Sequence, residues 1–529
     1  LVEKTYSRPA RGWKKEGKKI MSEMNPAAAS PIPAQPSGSN PVAPKPLGGP
    51  LAAPPAPEGW RIDLLEKIPA LKWLVKQRWF QFAVVLPNLI LFMLFLAAGV
   101  WGTPVGNRNI LIVFVWILWW FLLISAMVPF LSRIWCTVCP FPFFGEWIQR
   151  GSLTTPKMAT PGAKGVKVGI NRYFGLNLRW PKALSNIWLQ NIGFLGLCTF
   201  SAFYLTRPIA SVIVLGTLIV VATVLHVIYR QRAFCNYVCP VSGFLSLYAM
   251  TSMTEVRSRD YNTCLKCTDK SCLVGSERGW GCPWFNYPSK MERNNYCGLC
   301  TECIKSCPHD NMTIRLRPFA SDTKLKGYDE AWKAFIMLCL ALAYSVIYLG
   351  PWGFFKDVAN FTESGKGLPY FIGYALVLWS LPMWVLPGIF SAFHWVARKV
   401  AGAEPKPWKE SFLAMAYPIV PLGLCAWIAF SVPLIFVNGS YILVVMSDPF
   451  GWGWDLFHTA HIAWSPIIPE WMPAVQVCIL AIGLILTLKS TFKQATKVYA
   501  DPKASFRFAL PMATFMTLIV LLFVKLYVS

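Results

Sequence analysis

The chain has 529 residues, 55% of them hydrophobic and only 14% charged, with a mean hydropathy of +0.44, which is too apolar for a soluble enzyme and fits a chain that crosses a membrane many times. Its net charge of +25 would suit a nucleic-acid binder only if the basic residues gathered on one soluble face. They sort among the loops between apolar runs instead, so no nucleic acid is expected as a partner.

Residues 1–58 carry a basic cluster (Arg11, Lys14, Lys15, Lys18, Lys19) and then a Pro/Ala/Ser tract through Pro57. Such a tract buries too little apolar surface to fold alone, and no apolar core follows the charges as it would in a signal peptide. A disordered, solvated tail is the expectation. From Trp60 to Gln81, apolar residues at helical spacing (Leu64, Leu65, Ile68, Leu71, Leu74, Val75) predict an amphipathic helix lying along the membrane surface, in contact with membrane lipid. Apolar runs of spanning length then recur at 82–102, 109–131, 186–206, 208–229, 332–350, 369–390, 411–437, 472–488 and 508–528. The predicted fold class is mainly α, a polytopic membrane helical bundle of nine spans. The expected domains are the tail (1–58), a four-span membrane domain (59–240), a ferredoxin-like segment (241–330) and a five-span membrane domain (331–529).

Short loops rich in Lys and Arg stay in the cytoplasm. With the N-terminus cytoplasmic, 45 of the 50 Lys and Arg fall on that side, leaving Arg108, Arg207, Lys356, Lys366 and Lys525 on the other. This places the chain in a bacterial cytoplasmic (inner) membrane with the segment after the fourth span inside the cell.

Cysteines mark the chemistry. R-I-W-C-T-V-C-P runs from Arg133 to Pro140 at the end of the second expected span, and R-A-F-C-N-Y-V-C-P from Arg232 to Pro240 at the end of the fourth. The two spans deliver Cys136, Cys139, Cys235 and Cys239 to one membrane face, where four thiols can close a third iron-sulfur site or a zinc site. The main signal follows. Cys297, Cys300, Cys303 and Cys307 stand in the C-x2-C-x2-C-x3-C-P run that wraps cubane iron-sulfur clusters, preceded by Cys264, Cys267, Cys272 and the pair Cys282-Pro283. Three thiolates two residues apart reach three irons of one cube, while the fourth points to a neighbouring cluster. On that pattern Cys264, Cys267 and Cys272 with Cys307 hold one 4Fe-4S cluster, and Cys297, Cys300 and Cys303 with Cys282 hold the other. An uncrossed assignment stays open, because an insertion separates Cys272 from Cys282. A zinc ribbon is the competing reading, and eight cysteines with two Cys-Pro pairs argue against it. The remaining Cys198, Cys339, Cys425 and Cys478 stand alone in apolar runs as packing residues.

Four N-terminal spans with Cys-Pro motifs at the inner ends of the second and fourth, followed by a two-cluster ferredoxin segment, resemble the membrane-bound polyferredoxins of the NapH and NosR type. The resemblance covers roughly residues 70–320 and rests on Cys235–Pro240, Cys297–Pro308 and Cys136–Pro140, where the family's C-x3-C is C-x2-C in this chain. It implies electron transfer between the quinone pool or a cytoplasmic donor and a partner respiratory oxidoreductase, or support for maturation of such an enzyme.

No Walker loop, dinucleotide fingerprint or nucleophile with its base is visible, so no catalytic residue is assigned. The expected role is an electron-transfer subunit with two 4Fe-4S clusters, a third iron-sulfur cluster, and quinone as the lipid-phase counterpart near the Trp-rich inner ends of the second and fourth spans. The alternatives are a maturation factor for a metallo-oxidoreductase and a membrane anchor of a larger respiratory complex. The outer loop Asn438–Pro473 lacks Lys and Arg but holds Asp448, Asp455, Glu470, His458 and His461 beside several tryptophans. It reads as an aromatic interfacial half-helix, as a metal or proton site, or as an acidic docking face for an outer-face cytochrome among the other subunits.

Overall fold

The computed structural model describes residues 59–157, 166–168, 171–348, 354–362, 367–404 and 406–528. The tail expected at 1–58 lies outside them.

The described chain is mostly helical. Eight of its helices are long and apolar enough to cross a membrane: Phe80–Trp101, Ile110–Leu131, Pro208–Ile228, Tyr328–Tyr348, Gly367–Val400, Trp408–Asn438, Pro469–Val498 and Pro502–Val528. The run expected as a span at 186–206 differs. It forms Trp188–Thr199 and Ser201–Tyr204, broken at Phe200, and twelve residues rise only about 18 Å. Side-chain hydroxyls compete with the backbone at the break: Thr199 donates to the Leu195 carbonyl and Ser201 to the Cys198 carbonyl. Polar residues on the first piece also bind neighbours, Gln190 donating to the Cys235 carbonyl at 3.0 Å and Asn191 to the Asp329 carbonyl at 2.9 Å.

Two helices form the centre of the bundle. Within their most apolar windows, Tyr328–Tyr348 is 72% buried and Trp408–Asn438 is 78% buried, against 22–39% for the other six. Beyond their charged first turns both are almost wholly apolar, as helices surrounded by other helices tend to be. Trp427 sits where they cross. Its indole donates to the Met337 carbonyl at 2.8 Å, and its ring lies 5.5 Å from Trp120 and 5.9 Å from Phe244. Helices from both halves of the sequence therefore share one core.

The cysteine-rich insert is held by a small antiparallel sheet in the order Ile62–Asp63, Met312–Leu316, Thr254–Ser258. The outer strand comes from the segment expected to lie on the membrane surface. Asp63 caps the helix Leu64–Lys67 and accepts from Arg259 at 2.8 Å. Leu65 and Val75 are buried against Val256, Leu299, Cys303, Ile304 and Met312, while Trp73 and Ile68 stay exposed. The amphipathic stripe thus packs on the insert, because the sheet and the cysteine loop present an apolar face. Lys72 and Lys76 add ion pairs to Asp310 at 2.5 and 2.6 Å.

Leu65 anchors this packing, so Leu65→Ala is expected to cost about 2–5 kcal/mol of local stability. Hydrogen exchange is the measurement: amides of 62–78 exchange faster and those of the spanning helices do not. Unchanged exchange at 62–78 would show that the segment is held elsewhere.

Candidate metal centres

Twelve of the cysteines fall into three groups of four. Around the first, Asn311 ties together distant parts of the chain, its side-chain amide donating to Cys264 Sγ at 3.2 Å and its backbone N–H to Cys307 Sγ at 3.4 Å. Asp260 caps the helix Tyr261–Lys266, which carries Cys264. Burial first, and then the fields of Cys307, Cys264 and Cys267, push the Cys272 thiol up to about 12. The second group, Cys282, Cys297, Cys300 and Cys303, lines one small cavity with Trp284 and Tyr296. Leu299 and Thr301 take left-handed backbone conformations that wind the loop around that cavity. Gly298 is required there, since a Cβ would stand 2.5 Å from Trp284 Nε1.

The third group, Cys136, Cys139, Cys235 and Cys239, lines another cavity with Trp135, Phe141, Phe234 and Val241. Cys136 lies on the short helix Trp135–Val138, and Cys235 in a π-helical turn, Phe234–Val238. Cys239 caps the helix Pro240–Tyr248, its sulfur accepting from Ser242 N–H at 3.4 Å. Burial, then the fields of Cys235, Cys239 and Cys136, push the Cys139 thiol well above its ordinary value, and burial carries Cys239 to about 12. Buried thiols that crowd one another ionise only when a cation compensates them, as metal binding does. The donor set fits an iron-sulfur centre. Among the described residues no three His, Cys, Asp or Glu side chains draw together as ligands of a single ion would.

Residues 112–157 and 212–252, which hold this third group, match the family described as a 4Fe-4S binding domain. The chain carries 4Fe-4S-binding sequence. The match covers well under half of its length and takes in the first two Cys-Pro motifs, not the insert's eight cysteines. No curated protein and no solved structure matches the chain.

The second and third groups are stapled together. Thr137 donates to the Gly298 carbonyl, Arg133 to the Asn295 carbonyl, and the Arg232 N–H to the Pro283 carbonyl at 3.2 Å. The guanidinium groups of Arg133 and Arg232 both stand over the Trp284 ring, at 4.3 and 5.7 Å from its centroid. Arg133 also donates to Cys136 Sγ at 3.7 Å and to Ser242 Oγ at 2.5 Å. Arg232 forms a two-pronged pair with Glu146, Nη2 to Oε2 at 3.0 Å. Of these partners only Cys136 is among the site residues expected from sequence. The signal available was the shared R-x-x-C that opens both Cys-Pro motifs.

A long apolar cavity of about 590 Å³ begins at the third group's wall. Trp135, Phe141 and Val241 line both. It passes Trp116, Trp119, Trp120 and Trp427 and reaches Asn107, Thr206 and Asn438 at the opposite helix ends. Its wall along the second span is wound as π-helix at Val113–Trp119 and Leu123–Met127, which widens the helix where tryptophans face the cavity.

His226, His394 and His458 line neither thiol cavity. Buried His226 shares its Nδ1 with the Ala222 carbonyl, and His394 meets Ser411 Oγ at 3.1 Å. The His458 side chain is 94% exposed, 3.6 Å from Asp455.

Burial alone would raise the Glu146 carboxyl, but the charges of Arg150 and Arg232 outweigh it and hold it at about 2, below an ordinary 4.5. The stability this pair supplies is whole above pH 4.5 and is lost as pH falls from there through about 2. Glu146→Gln is expected to lower stability at neutral pH by about 3–5 kcal/mol, because it leaves Arg232 buried without its partner. Thermal unfolding of the detergent-solubilised protein checks both points: the variant loses stability at pH 7 and shows a shallower fall between pH 4.5 and 2 than the wild type.

Proposed function

We propose that the chain is a membrane-bound iron-sulfur electron-transfer subunit. Cys264, Cys267, Cys272 and Cys307 hold one 4Fe-4S cluster, Cys282, Cys297, Cys300 and Cys303 a second, and Cys136, Cys139, Cys235 and Cys239 a third. One observation carries this reading: the thiols that lie in the 4Fe-4S-binding segments share a wall with the apolar cavity on one side and are stapled to the insert's second group on the other. Cubane clusters exchange single electrons without gaining or losing atoms, at potentials set by their surroundings.

The chain's own residues fix the path. Trp284, clasped by Arg133 and Arg232, fills the space between the second and third groups and excludes water there. Trp135, Phe141 and Val241 separate the third group from a cavity whose volume and lining suit an apolar ring, which supports quinone as the lipid-phase partner. The concentration of Lys and Arg on the segments beside the insert supports a cytoplasmic face for it in the bacterial inner membrane. On the opposite loop, exposed Trp452, Trp454, Trp464 and His458 support contact with other subunits of a respiratory oxidoreductase, an outer-face cytochrome among them.

Iron content and anaerobic EPR test the assignment. The purified protein is expected to hold about twelve irons per chain, and Cys239→Ala about eight, with one reduced-cluster signal missing and the other two intact. A quinol analogue is expected to reduce the signal that Cys239→Ala removes. About eight irons in both proteins, with identical spectra, would remove the third centre from the proposal.

A further inference from the structure

Lys333 is completely buried within the central helix Tyr328–Tyr348. An ammonium group in such a place is costly unless something balances it. The carboxylates on its own helix are engaged elsewhere. Glu330 accepts from Arg293 at 2.7 and 3.0 Å, from Asn295 at 3.2 Å and from the Lys326 N–H at 2.7 Å, and Asp329 accepts from the Ile187 N–H at 3.1 Å. Glu146, across the thiol group, holds Arg232. Among the described residues Lys333 Nζ has no hydrogen-bond partner; it rests 4.5 Å from the centroid of the Phe194 ring.

The surroundings point toward the third group. A Cβ at Gly243 would lie 3.3 Å from Lys333 Nζ and 3.0 Å from Gln190 Oε1, so both polar atoms crowd one spot. That spot is one turn into the helix capped by Cys239, whose carbonyl accepts from the Gly243 N–H at 3.2 Å. Gln190 Oε1 also lacks a partner, while its amide nitrogen holds the Cys235 carbonyl at 3.0 Å. On the other side of the thiols, Arg133 is also buried, and among the described residues it has no carboxylate partner.

We infer that Lys333 is a counter-charge for the group held by Cys136, Cys139, Cys235 and Cys239 and raises its reduction potential. The inference rests on the third centre proposed above. A cubane with four thiolates is a net anion and gains one more negative charge on reduction, so a nearby cation in a low-dielectric site favours the reduced form. The unpaired ammonium is then balanced by the centre itself. Arg133 contributes in the same sense, but it bonds Cys136 and its replacement would disturb a ligand. Lys333 bonds no cysteine, so it isolates the effect of charge.

EPR-monitored redox titration of the full chain tests this with Lys333→Met and Lys333→Arg. The signal that Cys239→Ala removes identifies the third centre. In Lys333→Met that signal alone is expected to move to lower potential, with at least a tenfold change in its oxidised-to-reduced ratio at fixed potential, or 59 mV for one electron. Lys333→Arg is expected to keep the wild-type value. A third signal that does not move in Lys333→Met, or that moves as far in Lys333→Arg, overturns the inference and leaves the proposed centre standing. Loss of the signal in Lys333→Met with retention in Lys333→Arg supports the charge role, and loss in both overturns it. A wild-type protein with no signal sensitive to Cys239→Ala would overturn the third centre, and this inference with it.

Discussion

The architecture depends on burying charge and thiols together at one set of helix ends. Four sulfurs, two guanidinium groups and a carboxylate occupy a largely buried zone, next to a bundle interior that is mostly apolar. Ionised groups in such a medium persist only when each finds an opposite charge or a full set of hydrogen bonds. Arg232 has Glu146; Arg133 has one backbone carbonyl, a hydroxyl and a sulfur. The geometry of the site follows from these requirements, because each satisfied donor also ties one segment of the chain to another.

The bundle serves this zone in two ways. Its two central helices, the most buried of the eight, bring the second half of the sequence against the first through Trp427, so the half without cysteine motifs forms part of the same core. Its second span departs from α-helical winding where the tryptophans line the long cavity. A regular α-helix repeats its faces every 3.6 residues, and π-turns shift that register and open the groove beside it. The cavity therefore follows from backbone winding as well as from side-chain size.

Much of the plan was legible in the sequence because the signals are periodic or compositional. Spanning length and apolarity located the long helices to within a few residues at most ends, and cysteine spacing drew attention to thiols that line two small cavities. Two readings went differently, for physical reasons. The run at 186–206 is apolar enough to span, but Thr199 and Ser201 turn their hydroxyls onto the backbone and break it. The stripe Leu64–Val75 is amphipathic enough for a membrane surface, yet its apolar side meets protein, and periodicity alone cannot say which apolar surface a stripe will cover. Lys333 was harder still. One lysine at the start of an apolar run looks like an ordinary helix-end charge, and only the fold shows that its neighbouring carboxylates are taken.

The contacts between insert and bundle bear on how such a protein transfers electrons. Thr137, Arg133 and the Arg232 N–H all reach backbone carbonyls of the insert, at Gly298, Asn295 and Pro283. Backbone carbonyls cannot change rotamer, so these bonds fix the second thiol group against the third more tightly than side-chain pairs would. The strand Ile62–Asp63, which leads into the first span, adds a second attachment on the insert's far side. An insert held at both places keeps the separation of its thiols from the third group constant. Electron exchange between centres that never touch requires a fixed separation of that kind, whichever way the electrons run.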